Sequence, residues 1–92
     1  MKLTDSEIAA RLQSLPGWRV ERGKLHRELA FPDFVAAFAF MTRCALLAEK
    51  RDHHPDVELG WGRARVLWST HDAGGVTQLD LDAAEATDQR FG

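Results

Sequence analysis

The sequence predicts an α+β domain: a four-stranded antiparallel sheet with three helices on one face, in the order α-β-β-α-β-β-α. Three observations carry that reading. Apolar residues recur at helical spacing in three separate segments. Between them, two stretches alternate apolar and polar residues about short turns that contain glycine. Single helices alternating with strand pairs then suggest helices packed against one side of an antiparallel sheet. The 92 residues read as one domain, 1–92.

The first helix starts at Thr4-Asp5-Ser6-Glu7, which has the capping-box form. Ile8, Leu12 and Leu15 follow on one face, and Pro16-Gly17 supplies the stop. "WRVE" and "LHRELAF" flank Arg22-Gly23-Lys24 as a hairpin, with Leu25, Arg27, Leu29 and Phe31 on one strand face. Pro32 and Asp33 open the longest helix, with Pro32 near its first turn. Phe34, Phe38, Met41, Ala45 and Ala48 form one apolar ridge and Phe40, Cys44 and Leu47 a second, so a wide face is expected to turn to the core. A second hairpin, "DVELGW" and "ARVLWSTH", turns through Gly62-Arg63. After the turn "DAGG", Thr77-Gln78-Leu79-Asp80 starts the last helix in capping-box style, with Leu79, Ala83 and Ala86 on its inner face.

Composition narrows the function. A net charge of −2 and a pI near 6.0 give no electrostatic case for nucleic acid or an anionic membrane as the main partner. The longest apolar run, "FVAAFAFM" at 34–41, is too short to span a bilayer, and "MKLTDSEIAA" lacks the apolar core of a signal peptide. Cys44 is the one cysteine, which excludes an internal disulfide and fits a reducing compartment. A cytoplasmic protein is expected. Trp18, Trp61 and Trp68 on strands give apolar area for a homo-oligomer that covers the free sheet face.

The chemistry concentrates in "EKRDHHP", 49–55, where the long apolar helix runs out. Pro55 drives His54 out of the helical region, and two adjacent extended residues point in opposite directions. His71 ends the last strand, so a helix end and a strand end can meet at one rim of the sheet. The plainer reading is a solvated helix terminus, where a histidine cation suits the negative end of the dipole. Acids beside the histidines favour a site, because carboxylates orient imidazoles and tune their protonation. Three histidines and a carboxylate can hold zinc, but adjacent histidines do not aim easily at one ion and no HxH or HExxH spacing is present. No metal is expected. Cys44 lies within a helix ridge and reads as core, lone His26 carries no expected role, and Gly74-Gly75 reads as a turn rather than a phosphate loop.

"AEKRDHHP", Trp61 and "STHDAGGVTQLDLDAA" together resemble the pterin-4a-carbinolamine dehydratases. The matching positions are Glu49, His53-His54-Pro55, Trp61, Thr70-His71 and Asp80, with Trp61 standing where tyrosine is common. The resemblance implies a homodimer or homotetramer without metal or organic cofactor. It implies dehydration of 4a-hydroxytetrahydropterin to quinonoid dihydropterin, which recycles the pterin of aromatic amino acid hydroxylases. It also implies roles: His53, His54 and His71 as catalytic groups, and Glu49, Asp52, Pro55, Thr70, Asp72 and Asp80 as residues that bind substrate or support the histidines. Which histidine is acid and which is base stays open. A non-enzymatic dimerization or assembly role is the alternative on the same fold.

Overall fold

The computed structural model describes residues 1–91. Its elements are α1 (Asp5–Leu12), β1 (Arg19–Glu21), β2 (Lys24–Ala30), α2 (Phe34–Arg51), β3 (Asp56–Gly60), β4 (Arg63–Trp68) and α3 (Gln78–Phe91), with a 3₁₀ turn at His71–Ala73. The predicted order holds. The four strands form one antiparallel sheet in the order β1-β2-β4-β3, so the two hairpins join through their second strands. Arg22 and Gly23, at φ 54° and 77°, form a two-residue turn with both residues left-handed, which matches the twist of the β1–β2 pair.

The β2–β4 register pairs Leu25 with Trp68, Arg27 with Val66 and Leu29 with Ala64. Because side chains alternate across a strand, these pairs share one face, where Leu25, Leu29, Ala64, Val66 and Trp68 are buried beneath the helices. Both buried indoles keep a partner: Trp68 Nε1 donates to Thr87 Oγ1 at 3.0 Å and Trp18 Nε1 to Asp88 Oδ1 at 2.9 Å. The opposite face carries ion pairs, including Lys24–Asp56 at 2.7 Å and Arg65–Glu28 at 2.9 Å. Beneath them His26 is buried, with no hydrogen-bond partner for either ring nitrogen among the described residues.

Four expectations change. Helix α1 is capped as predicted, Thr4 and Glu7 bonding reciprocally, but it ends at Leu12. Single turns then carry Leu15 and Trp18 into the core. Asp33 is the N-cap of α2, accepting from the Ala36 amide at 2.8 Å, so Pro32 lies before the helix and not in its first turn. On α2 the Phe40, Cys44, Leu47 ridge is buried with Ala37 and Ala48, whereas Phe34 and Phe38 of the other ridge are exposed. One four-stranded sheet is too narrow to cover both ridges. On α3, Leu79 is exposed because Asp80 takes the inward position, and Leu81, Ala83, Ala84, Ala86 and Thr87 line the core.

The tryptophans also change the basis of the oligomer expectation. Trp18 and Trp68 face the core of the chain and Trp61 sits exposed in the β3–β4 turn. The apolar surface left over lies on α2, at Phe34, Val35, Phe38 and Leu46.

Candidate active site

The site begins where α2 stops. Asp52 adopts the left-handed conformation (φ 50°, ψ 41°), which aspartate tolerates better than most side chains. The amide of Asp52 donates to the Glu49 carbonyl and that of His53 to the Ala48 carbonyl, at 3.3 and 3.2 Å. This pair of bonds is a Schellman motif; it satisfies the last helix carbonyls and turns the chain sharply. His53 and His54 leave that turn toward different partners, as adjacent residues should.

His53 is held by two contacts. Its Nε2 lies 2.7 Å from Asp80 Oδ1, and its ring stacks on Trp68 with centroids 5.3 Å apart and planes 24° apart. Asp80 is fully buried, and its other oxygen accepts from Thr70 Oγ1 and from the Thr77 amide, both at 2.9 Å. Thr77 Oγ1 lies 2.9 Å from Thr70 Oγ1; since the Thr70 hydroxyl donates to Asp80, Thr77 donates to Thr70. The capping interaction at the start of α3 and the anchor of His53 are therefore one carboxylate.

His54 Nε2 meets Glu49 Oε2 at 2.5 Å across the end of α2, in an exposed pair. His71 opens the 3₁₀ turn after β4, exposed, and its ring has no hydrogen-bond partner among the described residues. The isolated bridge Thr70–Gly75 and Gly74 at φ 75° fold this turn back against the strand end.

The three histidines come together. A cleft of about 260 Å³ is lined by Asp52, His53, His54, Ser69, Thr70, His71 and Asp72. Of the residues expected to bind substrate or support the histidines, Asp52, Thr70 and Asp72 face this cleft. Glu49 and Pro55 do not: they line a neighbouring apolar groove of about 460 Å³ with Met41, Ala45 and Ala48, and His54 stands between the two spaces. Asp80 does not line the cleft: it is buried under His53, with both oxygens engaged. Trp61, in the turn after β3, does not line the cleft.

Sequence reasoning did not place Trp68, Ser69 or Thr77 at the site. Their signal was present only in combination. Trp68 holds a core position in the β4 alternation two residues before Thr70, and Thr77 is the cap whose partner is Asp80. Among the described residues, no three His, Cys, Asp or Glu side chains converge as a metal-binding group. Burial pushes the Cys44 thiol up to about 11, which suits a core residue.

Comparison with known proteins adds the remaining findings. The family described as pterin 4 alpha carbinolamine dehydratase matches residues 1–90. A protein of Rhizorhabdus wittichii bearing the pterin-4-alpha-carbinolamine dehydratase name is 52% identical over 86 residues, covering 91% of this chain and 89% of that one. A Chloroflexus aurantiacus protein of the same name is 41% identical over 91 residues, covering 99% and 98%. Among solved structures, the transcriptional coactivator/pterin dehydratase of Brucella melitensis superposes with a TM-score of 0.95 at 39% identity, over the whole of both chains. A pterin dehydratase-like RuBisCO assembly factor of the alpha-carboxysome, 18% identical with a TM-score of 0.68, shares the fold.

Proposed function

The chain belongs to the pterin 4 alpha carbinolamine dehydratase family, and on that premise we propose that its histidine cleft dehydrates a 4a-hydroxytetrahydropterin to the quinonoid dihydropterin. One observation carries the reading: His53 and His54, after the end of α2, and His71, in the 3₁₀ turn after β4, line a single cleft. The 4a-hydroxyl must gain a proton to leave as water while N5 gives one up. Imidazole titrates near neutrality and suits both transfers.

The contacts suggest a division of labour. As a carboxylate, Asp80 can only accept, so His53 Nε2 carries the hydrogen and its Nδ1 holds the lone pair. That tautomer makes His53 an acceptor for a substrate proton. His71, with no partner to hold it, is free to carry a proton to or from the hydroxyl. His54, fixed by Pro55 and paired to Glu49, is better suited to hold the hydroxyl than to shuttle. Asp52 and Asp72 can accept from the amino and ring N–H groups of the pterin edge. In this reading the product returns to the cofactor cycle of aromatic amino acid hydroxylases, and no metal takes part.

A homo-oligomer belongs to the same proposal. The exposed Phe34, Val35, Phe38 and Leu46 on α2 give a second copy an apolar surface that the chain's own sheet does not cover. The reading is tested by following dehydration of freshly made carbinolamine above its spontaneous rate. A cleanly folded oligomer that leaves that rate unchanged would favour the non-enzymatic alternative.

A further inference from the structure

Beside the cleft lies a second hollow, of about 160 Å³, with an opposite electrostatic character. Ser69, Thr70 and His71 line both spaces. Across from them the hollow is walled by Arg22 and Lys24, from the β1–β2 turn and the start of β2. Lys2 adds a third cation nearby: its stem runs so close over Gly75 that an added Cβ there would meet Lys2 Cε at 3.0 Å. Lys24 is paired with Asp56 at 2.7 Å, and Arg22 has no ion pair among the described residues. A positive hollow on a chain of net charge −2 is a local choice. Its volume equals about five waters at roughly 30 Å³ each, the bulk of a small anionic group on a short stem.

The chemistry of the substrate gives this hollow a use. In a tetrahydropterin, C6 is bonded to N5, and N5 is bonded to C4a. A ring whose 4a-hydroxyl and N5 face the histidines must therefore project its C6 substituent from the same edge. His71 borders both the cleft and the cationic hollow, so that edge leads from one to the other.

We propose that the hollow is the subsite for the C6 side chain, and that the preferred substrate is a pterin carrying a carboxylate or phosphate ester on that chain. This rests on the dehydratase reading above. Arg22 and Lys24 are then specificity residues, and the Asp56 carboxylate competes with the ligand for Lys24.

The experiment is a fluorescence titration with three oxidised pterins: neutral 6-hydroxymethylpterin, pterin-6-carboxylate and 6-hydroxymethylpterin phosphate. At about 0.01 M salt an anionic pterin is expected to bind on the order of tenfold tighter than the neutral one, as two or three partly exposed pairs allow. At about 1 M salt, where screening reaches about 3 Å, the preference should vanish. The anion that gains more identifies the group. Arg22→Asn with Lys24→Gln should erase the preference while leaving 6-hydroxymethylpterin affinity unchanged; asparagine tolerates the left-handed turn position. Asp56→Asn, which frees Lys24, should enlarge it. Equal affinity for all three pterins, or a preference that survives the double variant, overturns the subsite and leaves the dehydratase reading intact. Failure of every pterin to bind overturns both.

Discussion

His53 and Asp80 lie 27 residues apart in the chain and 2.7 Å apart in space, and the same carboxylate caps α3 through the Thr77 amide. The anchor of an imidazole in the cleft is thus also a helix start. Moving one would move the other.

Asp80→Asn tests that coupling. The amide keeps the size of the side chain but can donate as well as accept, so it no longer fixes the hydrogen on His53 Nε2. Dehydration should fall by about 10²-fold, at the low end of what general acid–base groups contribute. Stability should fall by about 1–3 kcal/mol as a buried bonded group is mismatched. Urea unfolding and the pH profile of kcat separate the two effects. A shifted profile marks positioning of His53, while lost stability with an unchanged profile marks capping alone.

His26 supplies a pH prediction. Burial holds its pKa below the ordinary histidine value, with Arg19 and Arg65 acting in the same direction and Glu21 and Glu28 against them. The unfolded chain binds a proton at about pH 6.5, where the folded chain does not yet. Stability should therefore be fully present above that pH and decline as pH falls through it toward the lower folded value. His26→Leu, which removes two unpartnered buried nitrogens, should flatten that decline and stabilise by about 1 kcal/mol. Thermal unfolding from pH 8 to pH 5 reads the difference. An unchanged slope in the variant would assign the pH dependence to other groups.

The sheet was legible because apolar residues recur on one face of β2, at Leu25 and Leu29, and at every second position in β4, and the caps because Thr4, Asp33 and Thr77 are of the residue types that caps require. His53, His54 and His71 were legible as a group through their positions at element ends. The wide apolar face of α2 was visible, but not which ridge the sheet would cover, since periodicity gives a face and not its partner. His26 looked inert for a related reason. It is buried in the sheet, paired with Arg19 on β1 and Leu67 on β4, and no local pattern reports neighbours on adjacent strands. Asp80 was legible as a residue that binds substrate or supports the histidines, but spacing puts it near them without saying which side of His53 it occupies.

The exposed ridge of α2 leads to a prediction about assembly. Light scattering at micromolar concentration should give at least a dimer. Phe38→Glu, at a side chain 54% exposed in the single chain, should shift it toward monomer without unfolding it. A wild-type monomer near 10 kDa would contradict the homo-oligomer.

The central claim is that the histidines move protons, and single-residue kinetics test it most directly. Rates should be taken with freshly made carbinolamine, above the spontaneous floor, on variants verified as folded. His53→Ala and His71→Ala should each lose about 10²- to 10⁴-fold in dehydration. His54→Ala should chiefly raise KM, and His26→Leu, distant in role and buried on the far sheet face, should leave the rate unchanged. If all four variants dehydrate the carbinolamine as fast as wild type, the cleft is not a catalytic site and the histidine pair is a solvated helix end.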